Sequence, residues 1–113
     1  MRKLIKTVKV AGEESGSEPF FLDYYILEKT VTVESESVSR FGLEIYKRAR
    51  RKDGTPYAEY RKIFDVFQTE AEADEMLMLL ARNTVTPISM KDILEDLLGY
   101  AEFQSEISVV EAV

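Results

Sequence analysis

The stretch FFLDYYILEKTVTVE, residues 20–34, decides the fold of this chain. Aromatic and β-branched residues dominate it, and both are enriched in β-strands. Apolar and polar residues then alternate with the period of two of a half-buried strand, with Tyr25, Leu27, Val31 and Val33 on one face and Glu28, Thr30, Thr32 and Glu34 on the other. The first half, 20–26, is apolar on both faces, so we expect it to be covered on both sides or bent at a bulge.

The segment before this stretch predicts another strand. Residues 2–10 are rich in β-branched side chains, and Leu4, Val8 and Val10 fall on one face. Between the two strands, residues 11–19 are Gly-, Ser- and Glu-rich, which is typical of a loop.

The segment after it predicts a hairpin. A turn at 35–39 leads into a strand from about 40 to 50, and Gly42 inside that strand indicates a bulge or a close approach of backbones. Asp53-Gly54 is a strong turn dipeptide, because Gly tolerates positive φ and Asp bonds its own backbone. A fourth strand is expected over 57–67, with one face formed by Ala58, Tyr60, Phe64 and Val66.

The hydrophobic period then changes from 2 to 3.6, which predicts a helix. TEAEADE begins with a capping box, Thr69 as N-cap and Glu72 at the third helical position. Its acidic residues complement the helix dipole, and the expected buried stripe is Ala73, Met76, Leu77 and Leu80. Asn83 is predicted to end the helix in the left-handed conformation.

A second helix is predicted to begin after Ser89, with Asp92 as a weaker capping-box partner and Gly99 as its end. The tail, 100–113, adds either a short helical turn or, through EISVV, an edge strand, and we expect it to be partly ordered. The sequence therefore predicts one α+β domain over 1–113. An antiparallel sheet of about four strands over 2–67 is followed by two C-terminal helices over 69–99 that pack on one face.

Composition excludes several chemistries. The chain has no cysteine and no histidine, which excludes disulfides, thiolate catalysis, zinc fingers and iron–sulfur clusters and removes the commonest general base. It has no Gly-rich phosphate loop and no Gly-x-Ser-x-Gly elbow. We therefore expect no enzymatic activity, no catalytic residues, no cofactor and no metal site. No signal peptide or long apolar span is visible, which predicts a cytoplasmic protein without a membrane partner.

Basic residues cluster at the predicted turn of the hairpin. Five of the six positions in 47–52 are Lys or Arg, although the net charge of the chain is -6. Residues 1–68 carry 13 Lys and Arg against 11 Asp and Glu, whereas 69–113 carry 2 against 10. One interpretation is that this cluster binds nucleic acid. Bases would then stack on Tyr46, Tyr57 or Tyr60, and the phosphates would contact Lys47, Arg48, Arg50, Arg51 and Lys52.

Two observations favour a simpler interpretation of the basic cluster. The pI near 4.8 repels nucleic acid at long range, and strand alternation sends Lys47 and Arg48 to opposite faces. The cluster is then a solvated hairpin end whose charges oppose edge-to-edge pairing. A third interpretation is that the basic turn meets the acidic helices of its own chain or of a neighbouring copy.

The junction between the helices has a distinct local character. Its defining residues are Asn83, Thr86, Pro87 and Asp92. Capping by Asn83 and Ser89, with Pro87 fixing the turn, explains the polar residues there without a ligand. Recognition of a partner by this junction is the alternative.

Three segments resemble a family of short bacterial proteins known only as a domain of unknown function. They are YYILEKTV (24–31), FGLEIYKR (41–48) and, above all, LLARNTVTPISMKDILEDLL (79–98) with its Asn-x-Val-Thr-Pro junction. The resemblance covers residues 24–98. It implies a small bacterial cytosolic protein and assigns no catalytic residues.

Together these observations favour a small module that binds another protein or a second copy of itself, in a regulatory or adaptor role. The expected contact surface is the sheet face opposite the helices, where 20–26 would leave exposed apolar area, with Tyr24 and Tyr46 as candidate contact residues. The alternative is a nucleic-acid-associated factor that uses the basic hairpin 47–52.

Overall fold

The computed structural model describes residues 1–12 and 18–99 together with the backbone of 105–111. In these residues, strands in chain order form one antiparallel sheet, composed of β1 (Arg2–Val10), β2 (Phe20–Val33), β3 (Glu36–Arg50), β4 (Pro56–Phe67) and β5 (Ser105–Glu111). The helices α1 (Glu70–Arg82) and α2 (Pro87–Leu98) lie between β4 and β5 in the chain and pack on one face of the sheet. The predicted α+β class with helices on one face is confirmed, and the sheet has one strand more than the four predicted.

The core lies between the sheet and the helices. The central strands contribute fully buried side chains at every second position, namely Leu22, Tyr24, Ile26, Leu43 and Ile45. Ile63 and Phe67 add to them from β4, and the helices contribute Ala73, Leu77, Leu80, Met90 and Leu94. Alternation within β2 and β3 therefore separates a core-facing set from a set on the opposite side of the sheet.

The turn between β2 and β3 is shorter than the sequence predicted. It consists of Glu34 and Ser35, whose φ angles are 49° and 68°, and β3 already begins at Glu36. Two consecutive residues with positive φ form the mirror-image turn that matches the twist of a two-stranded ribbon. The expected turn at 35–39 is therefore wrong. Residues 29–39, which we call the arm, extend beyond the core and are exposed except for half-buried Val31.

Gly42 marks a close approach of β3 and β4, as predicted. A Cβ atom there would lie 2.1 Å from the carbonyl oxygen of Ile63. The register shifts beside it, and Asp65 adopts a positive φ of 56°. This shift breaks the single face expected along β4. The buried residues of the strand are Ala58, Ile63 and Phe67, of which only Ala58 belongs to the predicted face, and Val66 packs against the core.

A bulge also alters β1. The register with β2 shifts between Leu4 and Lys6, so Ile5 packs against the core and Leu4 is 52% exposed. The predicted face of Leu4, Val8 and Val10 is therefore wrong at Leu4. The pairing of β2 with β3 runs without a shift, and the bulge lies in β1. Of the two alternatives for 20–26, coverage on both sides is the one observed, because the segment is buried or half-buried throughout.

The start of α1 confirms the predicted N-cap. The backbone N–H of Glu72 donates to Oγ1 of Thr69 at 3.2 Å. Its buried stripe contains Ala81, whereas the predicted Met76 is half-buried. At the other end, Asn83 has a φ of -96°, and the left-handed residue is Thr84. Asn83 instead donates its side-chain N–H to the carbonyl of Leu79 at 2.9 Å.

The second helix begins earlier than predicted. Pro87 is its first residue and Thr86 its N-cap, so Ser89 lies inside the helix. Proline suits a first helical position, because its fixed φ is helical and that position needs no N–H. Gly99 ends the helix with a φ of 73°, as predicted. No helix among the described residues is long and apolar enough to cross a membrane.

The C-terminal segment contains an edge strand. Residues 105–111 pair with β4 from Tyr57 to Ile63, which is the second of the two alternatives drawn from EISVV. The expectation of partial order also concerns 100–104 and 112–113, which lie outside the described residues.

Candidate functional site: the open face of the sheet

The side of the sheet without helices, which we call the open face, is the candidate functional surface. Strand alternation places there the residues between the core positions, namely Phe21, Asp23, Tyr25, Glu44, Tyr46, Arg48, Tyr60 and Lys62. Two of these are carboxylates, Asp23 and Glu44, and they are only 5% and 1% exposed. Ionised groups are rarely so buried unless they are paired.

Asp23 is held by an arginine and a hydroxyl. Arg48 donates to it through Nε at 2.7 Å and Nη2 at 3.0 Å, and the Thr7 hydroxyl donates at 2.7 Å. Burial opposes ionisation of Asp23, but these hydrogen bonds outweigh it and hold its pKa below the ordinary value. The Arg48 guanidinium also lies 4.8 Å from the ring centroid of Phe21. The orientation of the Arg48 guanidinium is therefore fixed by the Asp23 carboxylate and by the Phe21 ring.

Glu44 is held by an arginine from the edge strand. Arg2 donates to it through Nε at 2.6 Å and Nη2 at 3.3 Å, so the pair reaches from β1 to β3 across β2. The same guanidinium lies 3.6 Å from the ring centroid of Tyr25 and 5.7 Å from that of Tyr46. The hydrogen bond to Glu44 raises the pKa of Arg2 above its ordinary value.

A row of aromatic rings continues across the face. Tyr46 stacks on Tyr60 with centroids 6.1 Å apart, and the ammonium of Lys62 lies 5.4 Å from the Tyr60 ring. The open face is therefore a surface of arginine–carboxylate pairs and tyrosines. Within 20–26, cations lie over the open-face rings of Phe21 and Tyr25, so the expected exposed apolar area is reduced to the part of Phe21 that lines a groove at one end of this face.

At the end of the open face nearest the β3–β4 turn lies a groove of about 560 Å³. Its lining includes Pro19, Phe21, Tyr46, Arg48, Arg50 and Tyr57. This groove combines aromatic walls with two guanidinium groups and the carboxylate of Glu18. It can accept a segment that carries both a carboxylate and an apolar side chain.

The predicted basic cluster is divided between the two sides of the sheet. Lys47 lies on the helix side, where its ammonium is 4.6 Å from the Phe20 ring, whereas Arg48 belongs to the open face. Arg50 donates to the carbonyl of Gly54 at 2.9 Å. The Arg51 guanidinium lies 4.9 Å from the ring of Tyr57, and Lys52 is exposed at the turn. The expected separation of Lys47 from Arg48 is confirmed.

Tyr24 is not a surface residue. Its side chain is fully buried, and its hydroxyl donates to the carbonyl of Val85 at 2.9 Å. Burial raises its pKa well above the ordinary value. Tyr24 therefore joins the sheet to the helix junction and offers no contact to a partner, which corrects its assignment as a binding candidate. Tyr46, by contrast, is half-buried on the open face.

The junction residues have local structural roles. Asn83 occupies the C-cap of α1 and Thr86 the N-cap of α2, where the Thr86 side chain makes no capping hydrogen bond, and Pro87 is buried at the first position of α2. Asp92 is exposed on α2. These positions lie on the helix layer, and the structure does not bring them together with the open face.

Sequence reasoning named Arg48 and Tyr46 but missed three residues that organise the open face, namely Arg2, Asp23 and Glu44. Arg2 is 42 positions from Glu44, and Arg48 is 25 from Asp23. A signal was present, because Asp23 and Glu44 are charged residues inside apolar strand segments. Their partners depend on strand register, which the sequence alone does not specify.

Comparison with known proteins extends the similarity seen in the sequence. A family model described as "Family of unknown function (DUF6514)" matches residues 1–100. No curated protein and no solved structure matches the chain. The match covers β1 to α2, and hence both carboxylates of the open face and the arginines that hold them. The chain belongs to the DUF6514 family.

Proposed function

We propose that this protein is a small non-enzymatic module that binds another protein through the open face, in a regulatory or adaptor role in the bacterial cytoplasm. One observation carries the proposal. Asp23 and Glu44 are buried on the side of the sheet without helices, where each holds an arginine against aromatic rings.

Burial of the two carboxylates prepares the arginines of the open face for binding. Removing a carboxylate from water is costly. A carboxylate that only had to bond an arginine could do so at the surface, without being buried. Here the burial fixes two guanidinium groups in defined positions, so less side-chain freedom is lost when a partner binds. Tyrosine and arginine are also the residue types enriched in the central parts of protein interfaces.

The proposal is tested by affinity capture from bacterial lysate after nuclease treatment. The open-face variant is Tyr46→Ala with Tyr60→Ala, which removes the stacked rings. Its matched control is Ile88→Ala with Leu97→Ala, which removes two exposed apolar side chains from α2. We expect a captured protein that the open-face variant loses and the control keeps. Equal capture by the open-face variant and the wild type would contradict the proposal.

Salt dependence adds a second readout. Because the open face carries ion pairs, we expect its affinity for the partner to fall moderately as salt rises. The purely apolar contact suggested by the sequence would be nearly independent of salt.

A second candidate function is contact with nucleic acid through the hairpin 47–52. It is favoured by the exposed cations Arg50, Arg51 and Lys52 on one turn. Against it, the ring of Tyr57 already lies near Lys47 and Arg51, which compete with a stacking base. Fluorescence anisotropy with single-stranded oligonucleotides would decide. Binding that falls steeply with salt and is lost when these three cations become Glu would establish this alternative.

A further inference from the structure

We propose that the tip of the arm of one copy docks in the groove at the opposite end of a second copy, so that copies associate head to tail. The inference rests on the proposed function, in which the open face binds a protein, and it identifies that protein as a second copy of this chain.

The geometry of β3 separates the two surfaces. This strand runs for 15 residues from the Glu34-Ser35 turn to the β3–β4 turn. At about 3.3 Å per residue its length is roughly 50 Å, which is comparable with the longest dimension of the molecule, 54 Å. A copy cannot bring its own arm tip to its own groove, because a paired strand joins the two. Only another copy can supply this tip.

The two ends carry opposite charge. The arm tip exposes the carboxylates of Glu34 and Glu36, and within the described part of the chain neither forms an ion pair. The other end carries Arg50 and the Asp23-paired Arg48 in the groove beside Glu18, and Arg51 and Lys52 beside Asp53 on the adjoining turn. Cations outnumber carboxylates at this end. Opposite charge therefore favours an arrangement in which the tip of one copy faces the groove of the next.

The arm tip and the groove also match in their apolar side chains. Val33 at the arm tip is 52% exposed, and Val38 is exposed beside its cross-strand partner Val31. The groove offers the rings of Phe21 and Tyr46 to such side chains, and its volume lies within the range of pockets that bind small ligands. A valine next to a glutamate is the combination that an aromatic groove with guanidinium groups accommodates.

The turn itself places a glutamate in an unfavourable conformation. Glu34 and Ser35 both have positive φ, a conformation that Asn and Gly adopt at lower cost. Strained backbone is found most often where a function requires it. Here it holds a carboxylate at the outermost point of the paired strands β2 and β3.

This contact joins two different surfaces, so it leaves one free end at each side of a pair and builds open chains instead of closed dimers. A single hairpin tip buries less area than a standard interface, and its charges are exposed to solvent. Association is therefore weak, dependent on protein concentration and sensitive to salt.

The test is sedimentation velocity of the full chain over a concentration series at low salt. The tip variant is Glu34→Lys with Glu36→Lys, and the turn variant is Arg50→Glu with Lys52→Glu. The control is Asp74→Lys with Glu75→Lys, which changes the net charge as the tip variant does but at exposed positions of α1. Circular dichroism establishes that each variant is folded.

We expect wild type and control to form larger species as concentration rises, and added salt to reverse this. Each of the other two variants alone should associate at least roughly tenfold more weakly. An equimolar mixture of tip and turn variants should regain association, since each supplies the intact end that the other lacks.

Three results would overturn the inference: a wild type that stays monomeric throughout, association of the tip variant equal to that of the control, or a mixture that fails to associate. If self-association is absent while the Tyr46 and Tyr60 variant still loses a captured protein, this inference fails and the proposed function stands. If neither self-association nor a loss of capture by the Tyr46 and Tyr60 variant is seen, both the inference and the proposed function fail.

Discussion

Gly42 shows how a single position limits the sheet. The atoms that a side chain there would meet are the carbonyl oxygen of Ile63 at 2.1 Å and the Cα of Phe64 at 2.9 Å, and both belong to the backbone of β4. Backbone atoms cannot rotate away as a flexible side chain does. The strands would have to separate locally, at the point where their register already shifts.

We therefore expect Gly42→Ala to lower the free energy of unfolding by about 1–3 kcal/mol or more, as overpacked sites do. The measurement is urea denaturation. Gly54→Ala serves as control, because no heavy atom of the described residues lies within 4 Å of its added Cβ, although its φ of +87° is unfavourable for alanine. A larger loss of stability at Gly54 than at Gly42 would show that the approach of β3 and β4 is not as close as described.

Asp23 makes stability depend on pH. Folding lowers its pKa, so its stabilising contribution is complete above the ordinary value of 3.8 and is lost as pH falls through the lower folded value. At neutral pH, Asp23→Asn should cost about 1–2 kcal/mol, a figure reduced because Arg48 is half-exposed. Denaturation at a series of pH values should show the wild-type advantage shrinking below pH 3.8. If the difference in free energy of unfolding between wild type and Asp23→Asn stayed constant to the lowest pH measured, the Asp23 carboxylate would not be paired.

At the scale of elements, hydrophobic periodicity was sufficient to predict β1 to β4, α1 and α2, because each buries one face and the burial period follows from backbone geometry. Local irregularities were less predictable. The bulge that exposes Leu4 and the early start of α2 at Pro87 depend on pairing and packing with distant residues. The ion pairs of the open face were missed for the same reason, since the contact of Arg2 with Glu44 exists only in one register across three strands.

The turn at the tip of the arm can be tested for backbone strain. Replacing Glu34-Ser35 by Asn-Gly removes two unfavourable left-handed residues, so we expect the midpoint of thermal unfolding to rise, with a gain of about 1–2 kcal/mol. Differential scanning calorimetry would measure it. Glu36→Gln is the control, because it removes a neighbouring charge of the arm without changing the turn. A decrease in stability for Asn-Gly would show that the turn is not strained.

At the scale of the whole molecule, the two faces of the sheet are covered differently. Helices cover one face with apolar side chains, whereas cations held by Asp23 and Glu44 lie over the other. The arm has neither kind of cover. Regular hydrogen bonding therefore extends beyond the part of the molecule that packing stabilises.

Hydrogen exchange should reveal this difference. At low protein concentration we expect amides at 22–26 and 43–45 to exchange slowest, and those of 29–39 to exchange much faster although they belong to strands. Mass spectrometry of peptic fragments would measure both. Slow exchange throughout the arm in dilute solution would contradict the view that packing leaves it uncovered.

The place of β5 in the chain has a kinetic consequence. Strands β2, β3 and β4 each pair with the strand before them across a short connection, so these contacts are local and form quickly. β5 reaches β4 only after the whole helical segment, and this closure carries the largest loop entropy in the sheet. During synthesis the outer edge of β4 stays unpaired until the last strand has been made. In that interval, its hydrogen-bonding groups are open to other nascent chains.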